Sequence, residues 1–374
     1  MSNFVTVEGR ALKRAMTIIR SVIERHNTIP ILSHVKLTHS DAGLRLVGTD
    51  LDIEIAADLD VIDGAGGEWS LCLSASNLAG IARVAGTMNV RIERTDDKAT
   101  ITLGDGSALY EVTTLPDSDY PAFGGERGTL LETFTNGMFA ALLEKVRWCA
   151  SGEETRYYLN GVCWHITAND KRFVATDGHR MAICKYVKEG GEAATRIIPR
   201  KAVRVICEHF NGADVKVFDV SPGRLEIVAP GLTLRTKLID GTYPDYGRVL
   251  PKPEAQEFAF DLKRGEIIAA IDQVTALGSE RGRAIRFYSD DGRTALDQRS
   301  PDFGNATVKT STVWPSCAAT KAAPSAFGFN GRYLREIAAA CQGTISLRMV
   351  DQGSPFTFHD ADDTMTRVLM PMRV

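Results

Sequence analysis

No apolar run in the 374 residues approaches the roughly 20 that cross a bilayer. The opening MSNFVTVEGR lacks the basic segment and apolar core of a secretion signal, so a cytoplasmic location is the expectation. The seven cysteines (72, 149, 163, 184, 207, 317 and 341) include no C-x-x-C pair and make an odd total, which argues against a disulfide framework and a zinc site. Most lie among apolar neighbours, as Cys207 does after Val203, Val205 and Ile206, where a thiol behaves as a small hydrophobe. Neither G-x-x-x-x-G-K-[ST] nor G-x-G-x-x-G is present to cradle phosphates, and there is no G-x-S-x-G elbow and no H-E-x-x-H helix. The seven histidines show no ligand spacing. No cofactor and no metal are therefore expected. Helix-turn-helix spacing, zinc fingers and aromatic-basic interleaving are missing too, so any contact with a nucleic acid would be to phosphates and blind to sequence.

What the chain does have is an internal repeat. LRLVGTDLDIEIA (44 to 56) and KRFVATDGHRMAI (171 to 183) share the frame V-small-T-D, with Asp50 and Asp177 separated by 127 positions. LPDSDYPAF (115 to 123) and LIDGTYPDY (238 to 246) share L-x-D-x-x-Y-P, with Tyr120 and Tyr243 separated by 123. Amphipathic helices are expected at about 8 to 25, 136 to 150 and 261 to 275, with stripes such as Leu12, Ala15, Met16, Ile19, Val22 and Ile23. Further helices are expected at about 74 to 86, 198 to 210 and 330 to 341, each followed by strands with hairpin turns at Asp105-Gly106 and Asp291-Gly292. The pattern predicts an α+β chain of three repeated domains, 1–125, 126–253 and 254–374, with linkers near 122 to 129 and 251 to 256.

Charge is uneven. The whole chain carries −3, but the six expected helices hold fifteen Lys and Arg against eight Asp and Glu, leaving −10 for the rest. One reading is that helix surfaces simply favour long charged side chains. The other is a segregated field, able to hold a polyanion loosely on a helical face and repel it elsewhere.

The stretch VATDGHRMAI (174 to 183) also has two readings. Asp177 and His179 could form an acid–base pair, although no third group is evident to orient them. Alternatively, Asp177-Gly178 marks a solvated turn. The apolar VLMPM near the end is either a core-edge strand or a Met-rich surface that accepts several partners.

RYYLNG (156 to 161), ATDGHRMA (175 to 182), PRK (199 to 201), YPDYGRVLP (243 to 251) and MPMRV (370 to 374) occur in this order, in register with the repeat. With them the whole chain resembles the bacterial DNA polymerase III β subunit family, the sliding clamps. The resemblance implies two helices packed on antiparallel sheets in each domain, and a head-to-tail homodimeric ring with helices lining the hole. It implies a processivity factor without catalysis or cofactor. Such a factor encircles duplex DNA non-specifically and tethers the replicative polymerase, the clamp loader and repair proteins through short linear motifs. Carried over residue by residue, the partner-peptide pocket would comprise Leu159, Thr176, Gly178, His179, Arg180, Met181, Pro244, Arg248, Val249, Ser354, Val368, Leu369, Met370, Pro371, Met372 and Arg373. For DNA the resemblance points to Tyr157, Tyr158, Arg200 and Lys201, with Arg204 on the same helix. The first domain departs from the family: Arg25 stands one step early, and the second helix opens on Ser74-Ala75-Ser76-Asn77, so DNA contact there would shift to Arg10, Lys13 and Arg14. Ring closure would use Tyr110 and Leu277. Two alternatives stand beside this reading: an enzyme acting through Asp177 and His179, and a clamp paralogue with the ring kept and the partners changed.

Overall fold

The computed structural model describes residues 3–24, 27–95, 97–124, 128–187, 189–221, 223–256, 258–277, 284–300, 304–314 and 324–374. It divides into two compact units, residues 1–141 with 198–239, and residues 142–197 with 240–374. Among the described residues six α-helices form: α1 (Gly9–Ile19), α2 (Ala75–Ala85), α3 (Met138–Val146), α4 (Arg200–His209), α5 (Arg264–Val274) and α6 (Gly331–Ala340). All lie inside the ranges expected from periodicity, and each is shorter. α1 stops at Ile19, and the rest of its stripe continues as a turn in which Val22 stays buried. Four β-branched residues between Ile18 and Ile23 explain the early end, because each loses χ1 freedom in a helix.

The first unit is built on a 13-stranded antiparallel sheet. Leu12, Ala15, Met16 and Ile19 of α1 and Leu78, Ile81, Ala82 and Ala85 of α2 are buried, and the two helices pack together. Burying each large aliphatic side chain contributes about 1.5–3 kcal/mol. The Ser74 hydroxyl caps α2 by accepting from the Asn77 amide. α1 begins on Gly9 because a Cβ there would lie 2.6 Å from the Met88 carbonyl oxygen, which accepts the Gly9 amide at 3.0 Å. Within this sheet Leu232–Lys237 pairs with Ile53–Leu59, Leu234 opposite Ile55, so strands of the first and second sequence repeats share one ladder.

The second unit holds an eight-stranded and a four-stranded antiparallel sheet. Its core is aromatic: Phe327 and Phe329 meet Phe356 at 5.1 and 4.8 Å between ring centroids, and Ile267, Ile271, Leu334 and Ile337 of α5 and α6 join the same cluster. In the eight-stranded sheet Arg180–Val187 pairs with Met365–Leu369, Arg180 opposite Leu369 and Cys184 opposite Met365. The expected hairpin turn at Asp291-Gly292 forms with both residues at positive φ, +50° and +75°, the conformation of a type I′ turn.

Six described cysteines carry free thiols, five of them buried and Cys207 half-buried. Burial pushes Cys72 and Cys341 up to about 11 and Cys163 up to about 12. No described helix is long and apolar enough to cross a membrane.

Three half-buried histidines, His165, His209 and His359, are held below their usual range, in each case chiefly by burial. Arg172 adds to this at His165, Arg204 at His209, and Arg348 and Arg367 at His359. The unfolded chain, with imidazoles near about 6.5, therefore takes up protons before the folded one as pH falls. Stability contributed by the neutral rings is present above that value and drains away below it. The urea midpoint should hold between pH 8 and 7.5 and fall by pH 5.5. A midpoint that rises on acidification would contradict this assignment.

Candidate functional site

The T-D frame of the repeat is a turn that closes on itself. Thr176 Oγ1 donates to the Arg180 carbonyl at 2.7 Å and accepts the Gly178 amide at 3.1 Å. Asp177 Oδ1 accepts the amides of His179 and Arg180 at 2.9 and 3.0 Å. The first repeat builds the same turn: Thr49 Oγ1 donates to the Ile53 carbonyl and accepts from Leu51, and Asp50 Oδ1 accepts from Asp52 and Ile53. The repeated tyrosines reach the same frame, Tyr120 Oη donating to Val47 O at 2.9 Å and Tyr243 Oη to Val174 O at 3.4 Å. Both sequence landmarks thus record one contact made twice.

The two turns differ at the left-handed position, Leu51 at φ +78° in one and Gly178 at +88° in the other. Glycine takes this left-handed conformation without strain, whereas Leu51 adopts it at a cost; the atom a Cβ at 178 would meet is the movable end of Arg156. They differ also in the second carboxylate oxygen, which takes the Lys201 ammonium at Asp50 and Arg180 Nε at Asp177.

Arg180 is 6% exposed, yet every part of its guanidinium is used. Besides Asp177, it bonds Glu336 on α6 and the Trp148 carbonyl, the latter at 3.1 Å, and lies over the rings of Tyr333 (4.5 Å) and Trp148 (5.2 Å). Burial works against its charge, but Glu336 and Asp177 outweigh it and raise the pKa. Glu336, equally disfavoured by burial, is held below the usual carboxylate range by Arg180 and Arg332. The His179 ring stacks on Tyr333 at 6.0 Å, and its backbone carbonyl accepts the Met370 amide at 2.9 Å. Asp177 is thus engaged by two amides and Arg180, and its carboxylate makes no described bond to the His179 imidazole.

Beside this turn, within the second unit, opens an apolar cavity of about 170 Å³. Ten of the sixteen predicted pocket residues line it: Leu159, Thr176, Gly178, His179, Arg180, Met181, Pro244, Val249, Val368 and Met370. Arg248 stands outside, exposed and paired with Asp245 at 2.9 Å. The Ser354 hydroxyl donates to Asp351 in its own loop. Leu369 is fully buried next to lining Val368, because alternate residues of a strand face opposite ways. Met372 is bridged to Gly328, and Pro371 and Arg373 flank it without lining the cavity.

Two lining residues were absent from the predicted set, Asp245 and Tyr246. Tyr246 is buried, its hydroxyl is 2.6 Å from His165 Nδ1, and burial pushes it up to about 12. An aromatic flanked by the quoted Pro-Asp and Gly-Arg was the available signal. Among the described residues no three His, Cys, Asp or Glu side chains gather as metal ligands.

Among the predicted DNA contacts, Arg25 lies outside the described residues. Arg10, Lys13 and Arg14 are exposed on α1 with no carboxylate partner among the described residues. Arg200 and Arg204 are exposed on α4, with Arg204 Nη2 3.4 Å from the Ser21 carbonyl, while Lys201 is engaged by Asp50 and lies 3.5 Å from Glu24. Tyr157 is 53% exposed and meets Tyr158 edge to face. Tyr110 is half-buried on Ala108–Leu115, and Leu277 is exposed after α5.

The helix surplus is concentrated. On the observed boundaries α1, α2 and α4 carry Arg10, Lys13, Arg14, Arg83, Arg200, Lys201 and Arg204 against Glu208 alone. α3, α5 and α6 carry Lys145, Arg264, Arg332 and Arg335 against Glu144, Glu266, Asp272 and Glu336, a balanced set. Three of those four cations are paired, Lys145 with Asp362, Arg332 with Glu336 and Arg335 with Asp272.

Changing Arg180 to Met should destabilise the protein by about 2–4 kcal/mol, since it leaves Asp177 without its cation and Glu336 with Arg332 alone; the partial exposure of Glu336 keeps the cost below that of a fully buried pair. Urea unfolding measures this. A loss below the error of extrapolation would show that the guanidinium is dispensable.

Residues 3–124 match the family model for the N-terminal domain of the DNA polymerase III beta subunit, and residues 133–245 match that for its central domain. The beta sliding clamp of Caulobacter vibrioides (strain NA1000 / CB15N) is 31% identical over 386 residues, covering 99% of this chain and 100% of the relative. That of Escherichia coli (strain K12) is 25% identical over 377 residues, covering 99% of each. Among solved structures, a Caulobacter crescentus beta sliding clamp superposes with a TM-score of 0.88 at 30% identity, covering 100% of this chain and 99% of that one. A Pseudomonas aeruginosa clamp bound to griselimycin superposes at 0.89 with 25% identity and full coverage of both. Related at this level along essentially its whole length, the chain belongs to the bacterial β sliding clamp family, the beta subunit of DNA polymerase III.

Proposed function

We propose that the chain works as the family's name describes, as a clamp that encircles duplex DNA without reading sequence and tethers proteins that carry short linear motifs. It does so as a head-to-tail homodimer of three domains per protomer, divided at 1–125, 126–253 and 254–374. The observation that carries this reading is the apolar cavity beside the TDGHR turn, whose size and lining suit the anchor side chains of an extended peptide. The replicative polymerase, the clamp loader and repair proteins would dock there in turn. Arg248 and Arg373, both exposed, are available to orient a peptide's acidic groups. The unpaired cations of α1 and α2 and the exposed arginines of α4 supply a phosphate-binding face whose attraction is electrostatic and therefore permits sliding. Tyr157 and Tyr158 would add stacking surface.

The dimer has support in two unfinished sheet edges. In Ala108–Leu115, residues 108–113 pair only with Lys98–Leu103, and the opposite edge has no described partner until Thr114. In the second unit Gly304–Val313 ends the four-stranded sheet. Both carry exposed apolar side chains, Leu109 at 61% and Val313 at 72%. An open edge is an aggregation hazard unless covered. Two different edges on one chain suit a heterologous contact, which makes a ring when its rotation closes. Tyr110 and Leu277 would lie in that contact.

Mass in solution should be that of a dimer at micromolar concentration, and clamps loaded on nicked circular DNA should be retained until the circle is cut. Equal retention on circular and linear DNA would overturn the ring. Val249 is 42% exposed, so its change to Asp should spare the fold. That change should weaken binding of a fluorescein-labelled pentapeptide ending in Leu-Phe roughly tenfold or more, because an unpaired carboxylate is forced against apolar surface. Unaltered binding would move the peptide site elsewhere.

A further inference from the structure

The cavity wall formed by 244–249 belongs to no sheet. Its described backbone hydrogen bonds are local: Tyr246 to Pro244, Arg248 to Asp245 and Val249 to Tyr246. Its position against the strands behind it is set by two phenols, Tyr243 on the Val174 carbonyl and Tyr246 on His165.

In the second of these Tyr246 Oη lies 2.6 Å from His165 Nδ1 and donates to it when the neutral ring carries its proton on Nε2. The Arg172 guanidinium, whose charge acts on both rings, is itself held by both oxygens of Asp170, Nε on Oδ1 at 2.6 Å and Nη2 on Oδ2. The His165 and Tyr246 rings meet edge to face at 5.7 Å, which keeps Nδ1 aimed at the hydroxyl. The charged and titratable groups facing this imidazole are Arg172 and Asp170 from the hairpin behind it, and Tyr246 and Asp245 from the wall.

We infer that His165 is a positioning residue for the peptide cleft: through the Tyr246 hydroxyl it fixes the 244–249 wall, and an added ring proton releases that wall. Protonation puts a proton on Nδ1 as well, so Tyr246 stays bonded only by turning its own hydrogen away and accepting, and it brings a second cation beside Arg172, whose repulsion works against the contact that anchors the wall. The clamp's grip on its partners is thereby coupled to acidity. This rests on the peptide-binding reading of the cleft.

The test uses the full-length protein and the same pentapeptide, with fluorescein replaced by a rhodamine on its N-terminal amine so that neither label nor terminus titrates between pH 5.5 and 8. Losing one hydrogen bond's net contribution corresponds to about threefold to tenfold in affinity. Wild type should weaken by that factor from pH 8 to 5.5. His165→Asn, whose amide oxygen can take the place of Nδ1 and does not titrate, should bind as wild type does at pH 8 and lose the pH dependence. Tyr246→Phe should be weak and flat at every pH. His179 also lines the cleft, so pH dependence that persists undiminished in His165→Asn would overturn the proposal, as would affinity in wild type that does not change with pH. Wild type that fails to bind the peptide at any pH would instead remove the cleft reading, and this proposal with it.

Discussion

The buried guanidinium of Arg180 is the interaction on which the cleft depends. A cation removed from water is tolerable only when each of its donors finds an acceptor and its faces find polarizable surface. Asp177, Glu336, the Trp148 carbonyl and the rings of Trp148 and Tyr333 together meet that demand. They come from three parts of the second unit, so satisfying one side chain fixes the turn, the segment after α3 and the helix α6 against one another. His179 can then present its ring to Tyr333 and its carbonyl to Met370, and the apolar cavity opens beside a turn that cannot move.

Much of this was legible in the residues. The V-x-T-D and L-x-D-x-x-Y-P landmarks proved to be two halves of one contact, the tyrosine bonding the carbonyl of the valine in the frame, and that is why they recur at nearly equal spacing. Ten cavity residues were named because the resemblance carried them over one by one. Arg180 was placed correctly but understood incompletely: its neighbours Trp148, Tyr333 and Glu336 come from distant parts of the chain, and no local pattern brings them together. Tyr246 was missed for a related reason. Its importance lies in a bond to a histidine 81 positions away. The net helix charge was read correctly in sign but not in distribution, since pairing of Arg335 with Asp272 or Lys145 with Asp362 is invisible until the fold is known.

The distribution matters for how a polyanion is held. Balanced, mutually paired charges on α5 and α6 contribute little field, because each cation's potential is cancelled within a few ångströms by its partner. Free cations on α1 and α2 keep theirs. Attraction of this kind is long in range, weak per contact and indifferent to register along a duplex, the combination that a moving attachment requires.

The shared ladders have a consequence for how the chain folds. Leu234 pairs with Ile55, some 180 residues earlier, and Arg180 pairs with Leu369, slightly more than that later. The central sequence repeat therefore completes its sheets only with strands lent by both neighbours, and its residues are divided between the two compact units. Such distant partners make for slow, late-closing assembly. They also mean that the boundaries of sequence repetition are not places to cut: a fragment ending between repeats would expose a bare strand edge where the intact chain has none.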